Sequence, residues 1–305
     1  TSGLYAAVGA VGVSPGDEVI VPCTTMSATA MAPLIYGGIP VFADIDPDTF
    51  CIDVNEVKSL INKKTKAIIA VNLFGHPAEL KKLKKIAKQN KIFLIEDNAQ
   101  APLAAENNKF TGTVGDIGVF SLNYHKHIHT GEGGVCTTND TELATRLQMI
   151  RNHAEAVVGP AKVKSLKNMV GFNYRMTELS AAVGLVQLKN IKKHVGKRKS
   201  FAEKLSSSLS DIDGLNVPIV RKNCEHVYYN WALKFDKKKL GISRHTFVKA
   251  LNAEGYQCSE GYVQPLYNLP IFKKMIAFGE NGYPFKNTKV TYHDNMCKMQ
   301  RNFTK

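Results

Sequence analysis

Short apolar runs alternate with stretches of helical period along the first half of the chain, and this alternation restricts the fold more than any other sequence feature. Strands are predicted near 18–21, 40–43, 66–71 and 92–95, with helices over 26–36, 53–61 and 78–90 between them. Strand, helix and strand in succession make a crossover that returns parallel, so the repeat implies an α/β fold: a mostly parallel sheet flanked by helices on both faces. Further strands near 117–121 and 134–138 extend the sheet, and a helix follows near 140–151. A Gly159-Pro160 break then opens a loop expected near the functional site. Thr177 is placed to cap a long helix running to about 208. From about 215 onward, strand-like segments over 227–235 and a helix over 243–253 read as a smaller C-terminal α+β domain. The expected organisation is a large domain over 1–190, a linking helix region over 191–214 and a small domain over 215–305.

Composition narrows the class. A chain of 305 residues, 44% hydrophobic, has the length to bury a large core. Its six cysteines, at 23, 51, 136, 224, 258 and 297, form no C-x-x-C pair, which argues against a zinc ribbon and against a secreted disulfide scaffold and fits a reducing cytoplasm. The net charge of +14 raises nucleic acid as a partner. However, Lys81, Lys82, Lys84, Lys85 and Lys88 interleave with Leu80, Leu83, Ile86 and Ala87 at helical spacing, which makes them the wet face of an amphipathic helix. Lys192, Lys193, Lys197, Arg198 and Lys199 fall in another helical stretch, and no nucleic-acid motif accompanies either group. No run approaches the ~20 apolar residues that a membrane span requires. The apolar opening, 4–13, is rich in Gly and Ala and lacks a basic leader, so it reads as a packed helix.

The chemistry concentrates at the expected carboxyl edge of the sheet, where α/β folds build their sites. Phe93-Leu94-Ile95 runs into Glu96-Asp97-Asn98-Ala99-Gln100, and the run over 117–122 delivers Ser121 and then Lys126 to the same edge. A lone lysine is commonly a solvated charge and an Asp at a strand end commonly a turn residue. Their shared setting points instead to pyridoxal phosphate: the amine holds the cofactor's aldehyde as a Schiff base, and the carboxylate keeps the pyridine nitrogen protonated. Glycines at 131, 133 and 134 leave room for close backbone approach or positive φ.

Several long stretches then carry a family resemblance: TSGL (1–4), GDEVIVP (16–22), PVFADIDPDTFCID (40–53), TKAIIAVNLFGHPAEL (65–80), IEDNAQAP (95–102), GDIGVFSLNYHKHIHTGEGG (115–134), RNHAE (151–155) and GFNYRMTELSAA (171–182). The chain resembles the DegT/DnrJ/StrS sugar aminotransferases, which have the fold type I pyridoxal phosphate architecture. That resemblance makes Lys126 the Schiff-base lysine and Asp97 the partner of the ring nitrogen. It sets Gln100 beside the ring hydroxyl, Ser121 on the phosphate, and the backbone of Ser2 and Gly3 in a phosphate-cradling turn at a helix N-terminus. Asn173 matches an asparagine that reaches the phosphate of the neighbouring subunit, implying a homodimer with shared sites.

Two departures stand out. Relatives commonly stack an aromatic residue on the ring, whereas here Cys23-Thr24-Thr25-Met26-Ser27 offers the thioether of Met26. Some relatives carry histidine at the lysine position and dehydrate deoxy sugars; here His125 and His127 flank a lysine, which favours transamination. By resemblance the amino donor is glutamate or glutamine and the acceptor a keto sugar, nucleotide-linked, or a keto-cyclitol such as scyllo-inosose, since GYVQPLY (261–267) is similar to the subset that aminates keto-inositols. The alternatives are a keto-deoxy-sugar dehydratase and a non-catalytic regulatory homologue. The resemblance also implies that the sequence lacks several tens of N-terminal residues and stops short of the final helix.

Overall fold

The computed structural model describes residues 1–154, 165–294 and 296–300. Strands β1 (Glu18–Pro22), β2 (Ile39–Ala43), β3 (Thr65–Val71) and β4 (Phe93–Asp97) alternate with helices α2 (Ala28–Leu34), α3 (Val54–Leu60) and α4 (Leu80–Asn90), after an opening helix α1 (Ser2–Ala10). Two short strands, β5 (Ala105–Glu106) and β6 (Lys109–Phe110), precede β7 (Ile117–Ser121) and β8 (Gly134–Thr137). The main sheet has the order β2-β1-β3-β4-β7-β8, all parallel except β8, which runs antiparallel to β7. Its central strands are buried on both faces, which is why they read as unbroken apolar runs.

Local chemistry fixes the helix ends. Asp53 accepts hydrogen bonds from Asn55 N and Glu56 N at the start of α3, and Asp140 accepts from Leu143 N at the start of α5 (Thr141–Arg151). Thr177 caps α6 (Glu178–Leu209) through Ser180 N, as its position implied. In α4, Leu80, Leu83, Ile86 and Ala87 are buried while Lys81, Lys82, Lys85 and Lys88 are exposed. Burial of each large apolar side chain there is worth about 1.5–3 kcal/mol. The Gly159-Pro160 break lies outside the described residues.

The C-terminal stretch differs from the reading over 227–235. Only β11 (Lys234–Phe235) is strand, pairing antiparallel with β9 (Leu215–Asn216); β10 (Cys224–Glu225) pairs with β5. Tyr228 adopts φ +48, which breaks the extended path, and the backbone turns to give Val227 N to Gly75 O and Asn230 N to Phe74 O. Helices α7 (Lys237–Leu240) and α8 (Arg244–Ala253) bury no residue fully. Beyond them the chain returns to the sheet: Leu266, Tyr267, Phe272, which lies in α9 (Pro270–Lys273), Phe285 and Tyr292 join the core around Phe42. The stretch from 215 therefore splits in its packing: α7 and α8 bury no residue fully, whereas the residues after 265 join the main core.

Candidate active site

Asp97 ends β4 and is buried, with Val119 of β7 as its register partner. A buried carboxylate requires hydrogen-bond partners. Thr29 of α2 donates its hydroxyl to Asp97 Oδ2 at 2.9 Å, and Ala99 N donates to Oδ1 at 3.2 Å. Next door, Glu96 accepts from the amides of Gly112, Val114 and Gly115, which pins the segment before β7.

Lys126 sits in the loop between β7 and β8. That loop is closed on itself by Leu122 N to Gly133 O and Thr130 N to Leu122 O, both 2.9 Å, and by Asn123 Nδ2 to Glu132 Oε1 at 2.6 Å. Of its glycines, only Gly131 takes positive φ, at +79; Gly133 is required by space, since a Cβ there would meet Thr130 Oγ1 at 2.6 Å. Burial lowers the pKa of the Lys126 ammonium, while the nearby charge of Asp97 opposes the shift. Lys126 Nζ lies 4.7 Å from the centroid of the Tyr229 ring, a cation–π contact that the irregular 226–230 segment provides.

The other expected residues gather at the same edge. Gly3, on the first turn of α1, packs so closely on β7 that a Cβ would lie 2.7 Å from Val119 Cγ1. This brings the N-terminus of α1 beside the strand that carries Ser121; Thr1 makes no side-chain cap there, and Ser2 is exposed. Ser121 Oγ accepts from Asn123 N at 3.3 Å. Met26, just before α2, is 49% exposed, so its thioether is available to a ligand. Gln100 is buried and tied at both ends, accepting from Phe74 N and donating to the Tyr262 hydroxyl, each at 2.7 Å. Burial pushes the Tyr262 phenol up to about 12, so it remains a hydroxyl at neutral pH. Through Tyr262, the GYVQPLY segment reaches the site. Asn173 is exposed and bridges backbone to backbone with Asn152; Glu155, at the end of RNHAE, lies outside the described residues.

Sequence reasoning missed Thr29 and Tyr229. A threonine inside a short helix and a tyrosine in an apparent strand carry no periodic signal, and each meets its partner only through the tertiary fold.

The donor set fits pyridoxal phosphate. It combines a buried, anchored carboxylate, an amine that burial eases toward its neutral, nucleophilic form, a serine hydroxyl and a helix N-terminus suited to an anion. Asn123 Oδ1 and His127 Nδ1, on either side of Lys126, are buried without hydrogen-bond partners. They leave polar capacity for a bound group.

Behind this loop lie three buried histidines. His127 Nε2 donates to Val227 O at 3.0 Å, His76 Nε2 accepts from Arg221 N at 3.1 Å, and His226 stacks on Tyr228 with ring centroids 4.0 Å apart. Burial pushes His76 and His127 down to about 4 and His226 to about 3. Each folded pKa lies below the unfolded value near 6.5, so the unfolded chain takes up protons first as pH falls. The stability that the neutral rings confer is complete above pH ~6.5 and drains between ~6.5 and ~4, by about 2 kcal/mol per ring at pH 5. Urea unfolding at pH 7 and pH 5 is expected to show this loss, with a flatter pH dependence in His226→Gln; an equal slope in that variant would exclude His226 from it.

A family model described as the DegT/DnrJ/EryC1/StrS aminotransferase family matches residues 1–298. The chain is 34% identical over 271 residues to a GDP-perosamine synthase of Caulobacter vibrioides, covering 88% of this chain and 71% of that protein. It is 33% identical over 291 residues to an L-glutamine:2-deoxy-scyllo-inosose aminotransferase of Streptomyces kanamyceticus, covering 92% and 68%. Among solved structures, S. venezuelae DesV in complex with a ketimine intermediate superposes with a TM-score of 0.84 at 26% identity, covering 99% of this chain and 74% of DesV. With a mostly parallel sheet of this order and a match of that extent, the chain belongs to the DegT/DnrJ/EryC1/StrS aminotransferase family.

Proposed function

We propose that the chain uses pyridoxal phosphate to move an amino group from glutamate or glutamine to a keto sugar, nucleotide-linked, or to a keto-cyclitol. The observation that carries the reading is the buried Asp97 carboxylate, fixed by Thr29 and Ala99, together with the half-buried Lys126 amine on the loop that follows the adjacent strand. When bound, the cofactor supplies an aldehyde for the incoming amine and an electron-poor ring that stores the charge of a deprotonated carbon.

The chain's residues then have separate tasks. Asp97 keeps a proton on the ring nitrogen, and Thr29 orients that carboxylate. Lys126 would hold the cofactor's aldehyde, and its Nζ, eased toward the neutral form by burial, would take and return the proton at the substrate's α-carbon. Ser121 and the backbone of Ser2 and Gly3 bind the phosphate. Met26 would lie against the ring through its exposed thioether. Gln100 supports the ring hydroxyl side, with Tyr262 behind it. His127 is tied through Nε2 to the Val227 carbonyl, and a lysine rather than a histidine at position 126 favours transamination over dehydration.

Asn173 supports a homodimer with shared sites, because it is exposed and matches the asparagine that in the resembling family reaches the neighbouring subunit's phosphate. Near it, Leu179 (83% exposed), Val183 and Val186 (60%) line one face at the start of α6, an apolar stripe that a second copy would cover. Mixing Lys126→Ala chains with Asn173→Ala chains tests this. Each hybrid dimer regains one intact site, so random pairing is expected to restore up to about a quarter of wild-type activity; hybrids that form without activity would refute sharing.

Among the described residues no helix is long and apolar enough to cross a membrane. The overall test is a mass-spectrometric product assay with cofactor, glutamate or glutamine, and a panel of keto sugars and scyllo-inosose. An amine product equimolar with a 2-oxo acid is expected. Loss of a hydroxyl without gain of nitrogen would instead identify a dehydratase, and no turnover of any acceptor, with no oxo acid from the donor, a non-catalytic protein.

A further inference from the structure

Three ligand-bearing side chains converge at the carboxyl ends of β1 and β2. Cys23 directly follows β1, with its N–H bonded to Ala43 O at 3.0 Å, and Asp44 directly follows β2. Cys297 comes from the returning C-terminal stretch. One sulfur from each cysteine and a carboxylate oxygen of Asp44 lie within 4.8 Å of one another, with Cys23 and Asp44 buried and Cys297 half-buried. Among the described residues, no other group of His, Cys, Asp and Glu is arranged in this way.

We propose that Cys23, Asp44 and Cys297 form a binding site for a thiophilic divalent cation of the zinc class. The donor chemistry selects it: two thiolates and one carboxylate suit Zn²⁺, whereas Mg²⁺ and Ca²⁺ take oxygen ligands. Size agrees as well. Three atoms no more than 4.8 Å apart always share a point within about 2.8 Å of all three, against ~2.3 Å for Zn–S and ~2.0–2.2 Å for Zn–O. Shifts of well under 1 Å complete the coordination, and water takes the fourth position of the tetrahedron.

The carboxylate is already oriented for the task. Asp44 Oδ1 accepts from Ile45 N at 2.8 Å and Gln300 N at 3.1 Å, and Oδ2 accepts from Met299 N at 2.7 Å. A carboxylate has about four acceptor positions, so capacity for the ion remains while the amides hold the group in place, as outer-shell partners of metal ligands do. The hydrogen bond to Cys23 and then burial raise the pKa of the Cys297 thiol. An incoming divalent ion displaces both thiol protons to solvent, two per ion, and affinity therefore rises with pH. The bound ion ties the C-terminal stretch to the ends of β1 and β2. That stretch packs on the main core and also contributes Leu266 N to Cys23 O at 2.9 Å.

The site is independent of the catalytic reading and is tested on the reduced, pyridoxal phosphate-loaded protein with Co²⁺ as the probe. One Co²⁺ per chain is expected, giving visible ligand-field bands of a tetrahedral thiolate site that the cofactor lacks, and displaced by Zn²⁺. Cys297→Ser, at a half-buried position tolerant of the change, is expected to lower affinity by more than the ~10- to 100-fold that follows loss of an outer-shell partner. Cys258→Ser, outside the cluster, is expected to leave binding unchanged. Undiminished binding in Cys297→Ser, or no stoichiometric uptake by wild type, would overturn the proposal. So would a Cys23–Cys297 disulfide forming in air from protein whose reduced form takes up no ion.

Discussion

Lys126→Ala is expected to reduce transamination by at least about 10³-fold while leaving the fold intact, since it removes both the covalent anchor and the proton carrier. The side chain is half-buried and contributes little core volume, so no substantial cavity results. Its neighbours Asn123, Thr130 and Glu132 still close the loop by their own hydrogen bonds. Lys126→Arg is expected to fail similarly: it preserves the positive charge over Tyr229 but remains protonated at any working pH. Steady-state kinetics on both variants, with circular dichroism as the folding control, provide the check. Turnover above a tenth of wild type in either would remove Lys126 from the proposed role.

Asp97→Asn is expected to lower kcat by about 10²- to 10³-fold, the scale of losing one preorganised electrostatic partner in a buried site. The amide is nearly isosteric with the carboxylate, and Thr29 Oγ1 can still donate to its oxygen, so cofactor occupancy and thermal stability should change little. Thr29→Val should act in the same direction and more weakly, because it frees the carboxylate to rotate without removing its charge. The split is diagnostic: kcat falls while binding holds. If occupancy were lost in parallel with kcat, Asp97 would be acting as a scaffold residue.

Much of this was legible in sequence, for physical reasons. A parallel strand buried on both faces must be apolar throughout, so β1, β3 and β4 stand out against the polar face of α4. Lys126 and Asp97 stand out in sequence because strand ends of such sheets open onto sites. Thr29 and Tyr229 were not visible, nor was the contact of Tyr262 with Gln100. Thr29 meets Asp97 across 68 residues and Tyr262 meets Gln100 across 162, and nothing local in either segment specifies the partner. The 227–235 run misled because its aromatic residues suit a strand, whereas Tyr228 at φ +48 turns the chain so that Tyr229 faces the lysine. Likewise, the Cys23, Asp44 and Cys297 cluster spans nearly the whole chain and lacks the short spacings by which metal sites are recognised in sequence.

The central claim is that one lysine, Lys126, holds pyridoxal phosphate beside Asp97. Borohydride reduction of the cofactor-loaded protein followed by peptide mapping tests it most directly. The account predicts a single pyridoxyl group, on the peptide containing Lys126, and no label after Lys126→Ala. A label on another lysine, or an unlabelled wild-type protein, would contradict it.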